Sequence, residues 1–153
     1  MTKFDVGRRF GFLANEVSRL YSLQFDRLAR EKLGLSQAQV RLLAQLALQG
    51  GALSQAGLAQ RMGLTPMAVA QLCDRMEGAG WLERRASATD RRVNEIHVQP
   101  KARKALDGAL AIGDSLTRDA LAALSAAERA QLLALLGKAR EGLVALSGPQ
   151  DVE

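Results

Sequence analysis

Several residue types are scarce in this chain. Among 153 residues there are one cysteine (Cys73), one histidine (His97), one tryptophan, one tyrosine and three prolines. A single cysteine excludes an internal disulfide framework and fits a reducing, cytoplasmic compartment. A single histidine offers no imidazole cluster, so no metal site is expected. With one His, one Cys, no glycine-rich phosphate loop and no nucleophile elbow, neither catalytic residues nor a cofactor are expected. No apolar run approaches the roughly 18 residues of a membrane span. The polar start, Met1 to Arg9, runs directly into a helical pattern and predicts no signal peptide.

What is present is a helical, globular composition. Hydrophobic residues make up 48% and charged residues 24%, and 153 residues suffice for one domain with a core of its own. Richness in Ala and Leu leans helical. The net charge is +5, and the stretch from Arg84 to Lys104 carries all of it. Seven bases (Arg84, Arg85, Arg91, Arg92, Lys101, Arg103, Lys104) stand there against Asp90 and Glu95. A local basic cluster is the footprint expected for a polyanion partner.

Periodicity divides the chain. Val6, Phe10, Leu13, Val17 and Leu20 recur at spacings of four and three, continued by Tyr21, Phe25 and Leu28, which predicts one long helix over about Asp5 to Lys32. Gly34 ends it. Ser36 and Gln39 form a capping box for a second helix with Val40, Leu43, Ala44 and Ala47 inward. Gly50-Gly51 stop it, Leu53 fits a very short strand, and Ser54 caps a short third helix to Met62. Gly63-Leu64 break the chain. Thr65 caps a fourth helix with Pro66 in its first turn and Val69, Leu72, Cys73 and Met76 inward. The period then switches to two: Trp81 to Arg85 and Val93 to Val98 read as a hairpin, with Ile96 and Val98 on one face. Pro100 opens a fifth helix (Leu106, Leu110, Leu116, Leu121), with Gly108 and Gly113 as weak points. Ser125 and Glu128 box a sixth, carrying Leu132, Leu133, Leu136, Leu143 and Leu146, and the tail after Ser147 is expected to fray.

Short helix, glycine turn, capped helix and basic hairpin, in that order, make a winged helix-turn-helix. The outer face of the fourth helix bears Thr65, Met67, Ala68, Ala70, Gln71, Asp74 and Arg75, small or polar enough to enter a major groove roughly 12 Å wide. Its N-terminus, from Thr65 to Ala68, offers backbone N–H groups to a phosphate. Gln71 has the donor and acceptor pair that matches adenine. Arg75 reaches phosphate or braces the hairpin through Asp90, and Asp74 opposes phosphate unless it is paired. At the hairpin tip Arg91 and Arg92 suit a narrow minor groove, with Asp90 holding an arginine by a bidentate salt bridge. The candidate DNA-binding set is Ser54, Thr65, Pro66, Met67, Ala68, Gln71, Arg75, Arg84, Asp90, Arg91 and Arg92.

From Leu53 to Leu106 the chain resembles the MarR family of regulators, most specifically in "GLTPMAVAQLCDRMEGAGWLERR" and the "DRR" of the wing. The resemblance implies a mostly α fold with a small β-hairpin wing (α+β). A winged helix-turn-helix lobe over 36–99 would be flanked by long dimerisation helices at 4–33 and 100–147. It further implies a homodimer on double-stranded DNA with a pseudo-palindromic operator, Arg92 in the minor groove, and repression relieved by a small aromatic or anionic effector. Candidate effector contacts are Phe10, Leu13, Val17, Tyr21 and Arg41, with Val40 beside them. Gln99 departs from the pattern, standing where a capping Thr is usual. Peroxide-sensing relatives carry a cysteine in the first helix; this chain has none there, and Cys73 lies on a buried stripe, so no redox switch is expected. A winged helix of another regulator family, or one that docks a protein rather than DNA, stays open at this point.

Overall fold

The computed structural model describes residues 5–148; the expected helix limit at residue 4 and the end of the C-terminal tail lie outside them. The chain forms two units, one up to Leu116 and one from Thr117. In order, the elements are a 3-10 turn (Val6–Arg8), α1 (Phe10–Leu33), α2 (Gln37–Leu48), β1 (Ala52–Ser54), α3 (Gln55–Met62), α4 (Pro66–Gly78), β2 (Leu82–Ala86), β3 (Asn94–Val98), α5 (Pro100–Ala120) and α6 (Ala126–Leu146).

Local chemistry sets most boundaries. Ser36 Oγ accepts from Gln39 N at 3.2 Å while Gln39 returns a bond to Ser36 N at 2.8 Å, which closes the expected capping box of α2. Ser125 and Glu128 do the same for α6. Gly34 and Gly63 end α1 and α3 in the left-handed region, at φ 68° and 63°, where a side chain would be strained. The start of α1 differs from expectation. Gly7 disfavours helix, Arg9 is extended and supplies no side-chain cap, and the helix opens at Phe10, not Asp5.

The sheet is also larger than a hairpin. Its strand order is β1-β3-β2, all antiparallel, with Leu53 opposite Ile96 and Arg84 opposite Ile96 on the other side. The core beneath it is built from α2 (Leu42, Leu43, Leu46), α3 (Leu58, Met62), α4 (Val69, Cys73, Met76), Leu82 and Ile96. Burial on this scale contributes about 1.5–3 kcal/mol for each large apolar side chain.

Four expected stripes come out differently. On α2 the buried face is Val40, Leu42, Leu43 and Leu46, with Ala44 only partly covered and Ala47 exposed, because the helix is turned so that its leucines meet the core. On α5 the buried face is Ala102, Ala105, Ala109 and Ile112, whereas Leu110 is exposed and Leu121 lies past the helix. Small residues face inward because α5 comes very close to α1: a Cβ on Gly108 would stand 2.7 Å from Leu33 Cδ2. Gly108 is thus a crossing point rather than a weak point. On α1 only the C-terminal part packs, through Ala29, Phe25 and Leu33. Phe10, Leu13, Val17 and Leu20 are exposed. In the second unit, α6 carries Leu133, Leu135, Leu136, Leu143 and Val144, all exposed and spread around the helix rather than gathered in one stripe.

Asp26 joins α1 to α2. Its Oδ1 accepts from Gln37 N at 2.8 Å, and its Oδ2 lies 2.7 Å from Arg30 Nε. Those two bonds, that from Arg30 first, hold its carboxyl below the ordinary carboxylate range. A depressed carboxyl stabilises the fold fully above its unfolded pKa and ceases to do so as pH falls through the folded value. Asp26→Asn should therefore cost about 1 kcal/mol at neutral pH. In urea unfolding, that difference from the parent should hold down to about pH 4 and shrink below it.

Candidate nucleic-acid interface

The helix-turn-helix is α3, the turn at Gly63-Leu64, and α4. Ser54 is at once the last residue of β1 and the N-cap of α3, its Oγ accepting from Gly57 N at 3.0 Å. Thr65 caps α4 by accepting from Ala68 N at 3.2 Å, and Pro66 follows at the first helical position. These caps narrow the expected phosphate-binding N-terminus. Proline has no N–H and the Ala68 N–H is spent on Thr65, which leaves the Met67 N–H as the open donor of the first turn.

Met67, Gln71 and Arg75 stand four residues apart on one line of α4, all exposed. Met67 is 72% exposed. Behind this line Asp74 is neutralised. Arg84, from β2, donates from Nη1 to Asp74 Oδ1 at 2.6 Å and from Nη2 to the carbonyl of Ala70 at 2.9 Å. Its backbone N donates to Glu77 Oε2 at 3.0 Å. Arg84 is thus committed to α4 at three positions of one face, Ala70 and Asp74 through its guanidinium and Glu77 through its backbone N–H. Its Nε is buried without a hydrogen bond; Glu77 Oε2, 4.0 Å away, is close enough to count as an ion pair but not as a bond. Burial opposes the charge on Arg84, but Asp74 and Glu77 outweigh it and hold the group cationic. The brace between hairpin and helix is therefore Arg84 to Asp74, not Arg75 to Asp90.

Beneath Arg84 sits Cys73, fully buried, and burial pushes its thiol up against the opposing pull of the guanidinium. A thiol in that state is a poor nucleophile.

The wing tip is an ordered turn. Asp90 Oδ1 accepts from Arg92 N at 3.0 Å, its carbonyl accepts from Val93 N at 3.0 Å, and Ser87 N donates to the carbonyl of Val93 at 2.8 Å. Asp90 thus holds the backbone in a side-chain-capped turn. Its contact with Arg92 Nε is single and long, at 3.5 Å, and not the bidentate pair expected from the sequence. The Arg92 side chain is 93% exposed. Arg91 is exposed and makes no ion pair among the described residues. Arg85 is held by Glu83 at 2.9 Å.

Among the described residues, the expected effector positions line no enclosed pocket within one chain: four follow one exposed face of α1, while Val40 packs in the core. Phe10, Leu13 and Val17 lie on the exposed part of α1, Tyr21 stacks on Phe25 with ring centroids 6.4 Å apart, and Arg41 faces solvent on α2. A cleft of about 270 Å³ lies elsewhere, lined by Ala47, Gly50, Gly51, Val98, Arg103 and Leu106. Two groups escape sequence reading. Lys101 reaches the end of α4, and Gln99, in place of the usual capping Thr, donates to Glu83 Oε2 at 3.0 Å. No periodicity signals either contact, since both join residues 16 or more apart.

Comparison with known proteins agrees with this geometry. The sequence model of the MarR family matches residues 33–93. The chain is 27% identical over 124 residues to the transcriptional regulator HosA of Escherichia coli O127:H6, covering 81% of this chain and 91% of that one. Among solved structures, wild-type MarR from E. coli in its apo form aligns with a TM-score of 0.79 at 20% identity, over 86% of this chain and 96% of that one. The S. aureus MepR–DNA complex aligns with a TM-score of 0.71 at 23% identity, over 92% and 99%.

Replacing Arg84 by Met keeps the stem and removes the fork. We expect a loss of about 1–2 kcal/mol in urea unfolding. Arg84→Lys should recover little of it, because an ammonium cannot reach Asp74 and the Ala70 carbonyl together.

Proposed function

We propose that this chain, whose residues 33–93 match the sequence model of the MarR family, is a transcriptional regulator that binds a pseudo-palindromic operator as a homodimer and represses until an effector releases it. The observation that carries the DNA reading is the disposition of charge on α4. Gln71 and Arg75 stand exposed on one line, while the neighbouring acid, Asp74, is taken up by Arg84. With Asp74 paired, the main objection to a face that approaches phosphate is gone.

In this reading α4 enters the major groove. Gln71 addresses a base edge, Arg75 reaches a base or phosphate, and the Met67 N–H takes a phosphate at the helix N-terminus. Thr65, Pro66 and Ala68 bring the backbone close, and Ser54 sets the entry of α3. Arg91 and Arg92 reach the minor groove from the wing, with Asp90 shaping the turn that projects them. Arg84 serves from behind, as the brace that orients α4.

The homodimer is supported by apolar surface that each unit leaves uncovered. On α1 it is Phe10, Leu13, Val17 and Leu20, and on α6 the leucines from Leu133 to Leu143. A monomer seldom leaves so many large apolar side chains uncovered on its helices, and a second copy of the chain is the partner that would cover them. A small aromatic or anionic effector among Phe10, Leu13, Val17, Tyr21 and Arg41 is proposed as the signal, completed by that second copy.

Arg92→Ala should weaken binding to an operator selected from a random pool on the order of tenfold, about 1.4 kcal/mol, in fluorescence anisotropy. The dimer should stay intact. The parent's log affinity should fall steeply and linearly with log salt; a salt-independent interaction would point to a protein partner instead. Sedimentation at low micromolar concentration should show a dimer, and a folded monomer there would refute the dimeric reading.

A further inference from the structure

The C-terminal end of α4 is held from the first turn of α5. Lys101 lays its side chain across the corner between α4 and β2. Its Nζ donates to the carbonyl of Ala79, the C-cap of α4, and lies 4.2 Å from the centroid of the Trp81 ring. Gln99 adds two ties to the same corner, from its backbone N to the carbonyl of Trp81 at 3.0 Å and from Nε2 to Glu83 Oε2 at 3.0 Å. Between them, Gly80 turns the chain at φ 78°, where a side chain would be strained and its Cβ would stand 3.5 Å from Lys101 Nζ. The corner accommodates the lysine.

Both partners act on the same charge. The last carbonyls of a helix lack intrahelical donors and carry partial negative charge, so a cation there is favoured. The face of an indole attracts the same cation. Trp81 is half-buried and packs on the core, so it cannot drift to follow the lysine. Core packing does not call for this arrangement, because the buried residue of that turn is Ala102 while Lys101 is exposed. Arg84 and Lys101 also divide the work. Arg84 fastens the middle of α4 to the sheet, at Ala70 and Asp74, and Lys101 fastens its end to α5.

We propose that Lys101 is a positioning residue for operator recognition: by tying the end of α4 to α5 through Ala79 and Trp81, it sets the pitch of the recognition helix and thereby the half-site spacing that the dimer accepts. This rests on the DNA-binding homodimer proposed above. Lys101 itself touches no base.

The test uses the full chain with Lys101→Met, which keeps the apolar stem, Lys101→Arg, which keeps the charge, and Trp81→Leu. Because Trp81 is the only tryptophan, its emission reports directly on the corner. In free protein, Lys101→Met should shift that emission and raise amide hydrogen exchange at Ala79, Gly80 and Trp81 at least fivefold, with the amides of α2 unchanged. On DNA, it should lower affinity for the selected operator about five- to tenfold. It should also erode discrimination against operators with one base pair added or removed between half-sites. Lys101→Arg should restore both, and Trp81→Leu should mimic Lys101→Met without adding to it. Unchanged exchange at those three amides would overturn the strut whether or not DNA is bound. Loosened exchange with parental affinity and spacing preference would overturn its role in recognition. Failure of the parent to bind any selected DNA would overturn both the proposed function and the recognition role of Lys101, while the exchange measurement would still decide whether the strut exists.

Discussion

One guanidinium holds the reading head together. Arg84 sits where the sheet meets α4, and its two terminal nitrogens bond a carboxylate and a main-chain carbonyl one helical turn apart. A guanidinium offers a flat fork that an ammonium cannot reproduce, so the contact fixes both the distance and the rotation of the helix. It also decides the electrostatics of the outer face. Without it, Asp74 would oppose any polyanion approaching Gln71 and Arg75; with it, the same acid, though exposed, is paired with a cation of its own chain. The segment 53–98 has six arginines and five acids, so the proposed affinity for a polyanion rests on which charges are paired within the chain and which are left free.

The wing follows the same rule. Glu83 takes Arg85 on the strand, and Asp90 shapes the turn more than it neutralises Arg92. The acids are placed close to backbone or to a strand cation, and Arg92 at the tip extends into solvent. A basic tip on an ordered turn loses less conformational freedom on meeting DNA than one on a floppy loop.

Much of this was legible in the sequence, and the boundary of legibility is physical. Caps were readable because they obey local rules: Ser36 with Gln39, Thr65 with Pro66, and Ser125 with Glu128 all act within one turn. The strand residues Ile96 and Val98 were readable from their period of two. The buried face of α5 was not, because Leu seems the natural core residue until the proximity of Leu33 to Gly108 shows that only small residues fit there. Arg84 was recognisable as a cation but not as an internal one, since Asp74 and Ala70 come to it from 10 and 14 positions away. The same holds for Lys101 and Trp81, where a lysine on an exposed helix start looks like ordinary surface. Long-range pairing leaves no period behind.

The order of the sheet has a mechanical consequence. Because β3 lies between β1 and β2, and Ser54 closes β1 while opening α3, the helix-turn-helix and the wing share one backbone lattice. They cannot be swung independently. On the proposed reading, in which α4 and the wing enter neighbouring grooves, a rotation that lifts α4 from one groove would carry the arginine tip out of the other, so the two contacts would engage and release in step. A DNA site of the proposed kind would then have to offer its major-groove edge and its narrow minor groove at one set offset along the axis. A change in local helical twist between those points would strain both contacts together.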